Sequence, residues 1–154
     1  MPNIPNAIVM RRIRYLLDEA KSLNPEYDMS IIFTMRLISN YASIGIGAAK
    51  SDKVKRLNTR MSTEARRLFN KVDFPEFHGA TINEHHLPLK KIWEDIVKGH
   101  SSLTPEEIWH VFVKYPMITI TKQEDDRLKL VRKFESPEHR YELASITIST
   151  LNLL

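Results

Sequence analysis

Apolar residues recur with helical spacing along most of this chain. Val9, Ile13, Leu16, Leu17 and Ala20 fall on one face of a helix that Asn6 can cap and Asn24-Pro25 ends. Asp28 precedes a second helix in which Ile31, Ile32, Phe33, Met35, Leu37 and Ile38 leave little polar surface, the pattern of a central helix. Gly45 and Gly47 weaken its last turns. From Ser51 to Lys71, Val54, Leu57, Met61, Ala65 and Leu68 form an apolar stripe, and Ser62-Thr63-Glu64 is the one place where that helix could divide in two.

The pattern changes after Lys71. Val72 to Gly79 reads as a connector, with Pro75 and Gly79 as breakers. Thr81-Ile82 favours extended backbone, and Pro88 suits the first turn of a helix carrying Leu89, Ile92, Trp93, Ile96 and Val97 and stopping at Gly99. Thr104-Pro105-Glu106-Glu107 is a capping box opening a helix to Lys114, which Pro116 ends. Met117-Ile118-Thr119-Ile120-Thr121 is rich in β-branched residues and predicts a strand. Thr121-Lys122-Gln123-Glu124 is a second capping box, starting a helix through Phe134. Ser136-Pro137-Glu138 starts one more turn through Tyr141, and Ile146 to Leu151 alternates like a last strand. These elements predict a mostly helical α+β protein with a minimal sheet. The boundary falls near residue 78, between a helical region of residues 1–78 and a smaller sheet-bearing region of residues 79–154, or the two form one continuous domain.

With 42% hydrophobic and 27% charged residues the 154-residue chain reads as globular, long enough to bury a real core. It has no cysteine, which excludes disulfides, thiolate zinc sites and cysteine nucleophiles, so any metal must be held by oxygen and imidazole. Met1-Pro2-Asn3-Ile4-Pro5 lacks the charged and then apolar pattern of a secretory leader, and we expect a cytoplasmic protein. The apolar run from Met29 to Ala49 carries Arg36 in its middle and makes a poor membrane span.

Charge is unevenly spread. Residues 1–80 hold 13 Lys and Arg against 8 Asp and Glu, whereas residues 81–154 hold 10 against 11. Lys53, Arg56, Arg60, Arg67 and Lys71 follow one face of the 51–71 helix, beside its apolar stripe. Such a row can track a phosphate backbone, releasing counterions as it does so, or can simply be a solvated helix face.

Chemistry concentrates in Glu84-His85-His86, at the junction between an extended segment and the helix that Pro88 begins. A carboxylate beside imidazoles there can hold a cation near a general base. Asp125 and Asp126, in the first turns of a helix that directly follows a strand, are the candidate second acid. His78, His100, His110 and His139 are isolated in sequence and read as structural or exposed. Trp93 and Trp109 are spaced for core packing rather than for base stacking.

The series strand, Glu84-His85-His86-Leu87-Pro88, second strand, then Thr-x-x-Glu-Asp opening a helix resembles the ββα-metal fold of the HNH, or His-Me finger, endonucleases. In that family an acidic residue or His followed by His and then Pro closes the first strand, and a later helix supplies the remaining ligand. The resemblance covers about half the chain, from Thr81 to near Ile148. It implies that Glu84 is the first metal ligand, His85 the general base, Asp125 the helix ligand with Asp126 as its substitute, and His86 a substrate-orienting residue. It further implies Mg²⁺ or Mn²⁺ as cofactor and hydrolysis of phosphodiester bonds in DNA, or less readily RNA. An imidazole with an ordinary pKa of about 6.5 can serve as base at neutral pH. Two helices separate strands that more often form a tight hairpin in this family, so their pairing is itself an expectation.

A second class competes with the nuclease. Glu-His-His at a helix start and two acids in a first turn can be plain polar surface. The protein would then bind nucleic acid or another protein without catalysis, as an accessory or inhibitor factor of the kind phages and plasmids encode. In either class no membrane is involved, and the apolar second helix is a candidate homodimer surface.

Overall fold

The computed structural model describes residues 2–149. In chain order the elements are α1 (Ala7–Ala20), α2 (Met29–Ile44), α3 (Ser51–Leu57), β1 (Met61–Ser62), α4 (Thr63–Lys71), α5 (Phe74–Ala80) and β2 (Thr81–His85). Then come α6 (Leu89–Gly99), α7 (Pro105–Lys114), β3 (Met117–Thr121), α8 (Lys122–Lys129), α9 (Pro137–Leu143) and β4 (Ile148–Ser149). The protein is a mostly helical α+β fold with a small mixed sheet.

The chain divides into two compact units, and both are discontinuous in sequence: residues 1–48 with 87–116, and residues 49–86 with 117–154. The boundary expected near residue 78 therefore falls inside the second unit. Two features explain the difference. Residues 49–78 supply a strand to the sheet, and α6 and α7 are spliced between two paired strands.

The first unit is built from α1, α2, α6 and α7. Three of the four start where a side-chain cap satisfies free backbone amides, while α6 follows Pro88 without a side-chain cap. Asn6 accepts from Val9 N at 3.0 Å, Asp28 from Ile31 N at 2.9 Å, and Thr104 and Glu107 form the reciprocal box expected of them. Their buried faces meet in one core, which includes Ile13, Leu16, Met35, Ile38, Ile92, Trp93, Trp109 and Phe112. Both tryptophans are core residues, as their spacing predicts. No helix among the described residues is long and apolar enough to cross a membrane.

The second unit carries the sheet, in the order β2-β3-β1-β4. β2 and β3 pair antiparallel from Thr81 against Thr121 to His85 against Met117. β1 lies parallel to β3 and antiparallel to β4. The excursion through α6 and α7 thus leaves and rejoins the sheet at adjacent positions, so the strands pair despite the insertion. Ile118, Ile120, Leu128, Tyr141, Ala144 and Ile146 form one core cluster of this unit, and Met61, Ala65 and Phe77 form another.

Three local expectations change. The 51–71 segment is not one helix: Asn58 ends α3, and Met61-Ser62 become a strand inside the sheet before Ser62 caps α4, its hydroxyl accepting from Ala65 N at 3.0 Å. Residues 74–80 are helical because Asp73 caps them and Pro75 sits in the first turn. α8 stops at Lys129, five residues short of Phe134, where Leu130 and Val131 turn back onto the Arg127 and Leu128 carbonyls. The last strand is seen as β4; positions 150 and 151 lie outside the described residues.

A buried acid-base cluster in the second unit

Successive residues of a strand face opposite ways, and this divides the Glu84-His85-His86 group. Asn83 donates to the Ser51 carbonyl at 3.2 Å and accepts from Thr119 Oγ1 at 3.3 Å, while Asn58 donates to the Met117 carbonyl at 3.0 Å. That polar face is the one to which alternation assigns His85. Ile82 and Glu84 take the other face, where Ile82 packs against the cluster of Ile118, Ile120 and Leu128.

Glu84 therefore carries a carboxylate onto a largely apolar surface. Arg140, from α9, donates to its Oε1 at 2.9 Å, and the two side chains are only 16% and 13% exposed. Burial raises the Glu84 pKa above the ordinary carboxylate value, and nearby Asp125 raises it further, while Arg140 opposes both. Asp125 is brought to this face by α8. Its Oδ2 meets Lys129 Nζ at 3.0 Å with 16% of the side chain exposed, whereas Asp126 is 77% exposed. Asp125 thus faces inward and Asp126 faces solvent.

His86, the first residue past the strand, is buried with its ring 4.5 Å from the ring of Tyr141, centroid to centroid. Burial lowers its pKa, Arg140 and Arg60 lower it further, and Glu138 and a hydrogen bond to the Pro137 backbone act the other way. Proline offers only a carbonyl, so an imidazole N–H is the donor. The balance favours the neutral ring. Tyr141 is held strongly toward its protonated form by burial first and then by the charges of Glu84, Glu124 and Asp125. Its hydroxyl, though buried, has no hydrogen-bond partner among the described residues.

Glu124 lies deeper still, fully buried, with Oε1 accepting from Ser62 Oγ at 2.5 Å and from Thr121 N at 2.9 Å. Its second oxygen is buried and has no hydrogen-bond partner among the described residues.

The second unit therefore brings together Glu84, Asp125 and His86 from the sequence-derived set, and adds Arg140, Tyr141 and Glu124. The additions were readable only as local signals. Arg140-Tyr141 follow the Ser136-Pro137 helix start, and Glu124 doubles as the capping-box acid. Of the five basic positions, Lys53 and Arg56 belong to α3, Arg67 and Lys71 to α4, and Arg60 lies between them, so β1 breaks the row. Arg56 stacks on Phe74, 3.6 Å from the ring centroid, and Arg67 pairs with Glu64 at 3.1 Å. Arg60 is the one of the five whose charge acts on His86, and partial burial pulls its own pKa down.

Among the described residues no three His, Asp or Glu side chains converge as a metal-ligand set. Glu84 and Asp125 are near enough for the charge of one to act on the other, and they are the two carboxylates a metal here would need. Their Oε1 and Oδ2 are in ion pairs with Arg140 and Lys129, which leaves Oε2 and Oδ1 as donors. That fits only the sparse ligation Mg²⁺ accepts, one or two carboxylates completed by water and phosphate. No family model, curated protein or solved structure matches the chain.

Proposed function

We propose that the second unit is a nuclease centre hydrolysing phosphodiester bonds in nucleic acid, DNA before RNA. The carrying observation is the order strand, antiparallel strand, helix: β2 and β3 pair, α8 follows β3 directly, and Glu84 from the first element and Asp125 from the third lie close enough to act on each other. That is the arrangement the sequence resemblance implies, reached through a pairing that two intervening helices do not disturb.

Glu84 and Asp125 would hold Mg²⁺ or Mn²⁺, which would supply Lewis-acid polarisation of the scissile phosphate. His86 is the imidazole on the carboxylate side, and burial favours its neutral form, the one that can accept a proton. Arg140 holds Glu84 in place and, with Arg60, supplies positive charge where an anionic backbone would approach. His85, on the other strand face, is the alternative base.

One observation favours binding without catalysis: both carboxylates already face a cation, Glu84 through Arg140 and Asp125 through Lys129. A purely architectural cluster needs nothing more.

Nicking of supercoiled plasmid in Mg²⁺ and in Mn²⁺ separates these readings. The wild type should nick. His86→Gln should lower the rate by about 100-fold or more, measured at a temperature where circular dichroism shows it folded, with His85→Ala within a few-fold of wild type. Asp125→Asn should abolish the heat of metal binding. Wild-type protein that cleaves neither DNA nor RNA and takes up no metal by calorimetry would leave the non-catalytic reading in its place.

A further inference from the structure

A cavity of about 450 Å³ opens between α4 and the first turn of α8. Its wall includes Arg67, Lys71 and Lys122, one acid, Glu64, and the apolar side chains of Leu68 and Ala80. Glu64 is already engaged by Arg67 at 3.1 Å. Lys71 and Lys122 are exposed and have no ion-pair partner among the described residues. The positive potential reaches further in. Lys55 is buried and gives its ammonium hydrogens to His78 Nδ1 at 2.9 Å, the His78 carbonyl at 2.8 Å and the Thr81 carbonyl at 2.7 Å, all uncharged acceptors. Burial and then the charge of Lys122 pull its pKa down, against a smaller opposing effect of Asp52. Cations gathered in this way repel one another until an anion joins them.

The size and the wall indicate what kind of anion. Ligand sites typically measure about 300–1,000 Å³, well above the volume of a bare phosphate. Leu68 and Ala80 suit the apolar faces of a sugar or base. Position along the sheet adds a second constraint. Thr121, at the cavity, pairs with Thr81, and Glu84 lies three residues further along the same strand. At about 3.3 Å per residue that is about 10 Å along the strand backbone, which keeps the cavity apart from the Glu84 cluster.

We propose that this cavity is a second phosphate-binding subsite, which grips the nucleic-acid backbone with Lys71, Lys122 and Arg67 and fixes which phosphodiester is presented to the Glu84 cluster. It rests on the nucleic-acid reading above but not on cleavage.

Fluorescence anisotropy with a fluorescein-labelled 12-nucleotide DNA, titrated across a salt series, tests it. Lys71→Gln with Lys122→Gln should weaken binding about tenfold and lower the slope of log K against log salt by about one to two units. Lys71→Arg with Lys122→Arg should restore both, and the exposed positions should leave the melting temperature unchanged. Wild-type affinity and slope in the Gln pair overturn the subsite, as does wild-type protein that binds no oligonucleotide at any salt. Loss of binding in the Gln pair, from a wild type that binds but never nicks plasmid, upholds the subsite and removes the cleavage reading. Undiminished binding with normal nicking does the reverse.

Discussion

The surroundings of Glu84 favour its protonated form, burial above all, and the sign of that effect can be measured. Its folded pKa is raised, so the folded state holds the proton to a higher pH than the unfolded chain does. The stability this contributes is full below the unfolded value, about 4.3 for a free glutamate, and is lost as pH rises through the folded value. Glu84→Gln removes that dependence while keeping an acceptor for Arg140. The variant should therefore gain on the wild type as pH rises from 4 to 7 in denaturant titrations. Arg140→Met should act the opposite way, since it strands a poorly exposed carboxylate without its counter-charge, at about 3 kcal/mol. Equal pH profiles for wild type and Glu84→Gln would show that the carboxylate is not desolvated in solution. At this scale the sequence was legible in part. Residue type and the strand-helix context singled out Glu84 and Asp125, whose charges act on each other, while the family resemblance alone distinguished His85 as base from His86. A period of two separates nearest neighbours and unites second neighbours. Arg140 was out of reach for a different reason: it lies 56 positions away in sequence, and no local pattern reports a tertiary ion pair.

Elements were most legible where capping chemistry decides them. Thr104 and Glu107, and Thr121 and Glu124, form the two reciprocal boxes that their spacing predicts. Met61-Ser62 escaped notice because an apolar stripe with helical period runs straight through it. Pairing with Thr119 on one side and with Ile148 and Ser149 on the other overrides that local preference. The end of α9 carries a similar conflict. Ile146 N bonds to the Tyr141 carbonyl at 2.9 Å and Ser145 N to the Glu142 carbonyl at 3.0 Å, a Schellman closure with Ser145 at φ 57°, where glycine is the usual residue. An L-residue there costs roughly 1–2 kcal/mol, offset in part by the greater freedom glycine has when unfolded. Ser145→Gly should raise stability by about 0.5–1 kcal/mol, read as a shift in urea midpoint at constant slope. If the second unit nicks DNA as proposed, the substitution should leave nicking unchanged, since Ser145 lies outside the Glu84 cluster. A lower midpoint would mean that the Ser145 side chain contributes something its backbone geometry does not reveal.

At the scale of the whole molecule, the fold class could be read from the alternation of helical and strand patterns, but the division of the chain could not. Composition and charge shift near residue 78, and a boundary placed there is reasonable for a chain whose domains follow one another. Here α6 and α7 interrupt a strand pair, and helical patterns look the same whichever unit they join. The register offers a direct test of the two-unit organisation. His85 pairs with Met117, so residues 87–116 close what is otherwise a hairpin. The two units also hold separate apolar clusters: α1, α2, α6 and α7 supply one, and the sheet with its own helices supplies the others. A chain of residues 49–154 in which Asn-Gly replaces 87–116 has the three-residue loop His86-Asn-Gly, with glycine where a type I turn and bulge need a left-handed residue. It should fold alone, melt cooperatively and bind the 12-nucleotide DNA with the wild-type salt slope, because the proposed cluster and subsite both lie within it. A molten product, with helical circular dichroism but no dispersed amide spectrum, would show that the second unit needs the first in order to fold. A well-folded product with a shallower salt slope would assign part of the phosphate contact to the arginines of α1, Arg11, Arg12 and Arg14, which the N-terminal excess of positive charge makes the next candidates.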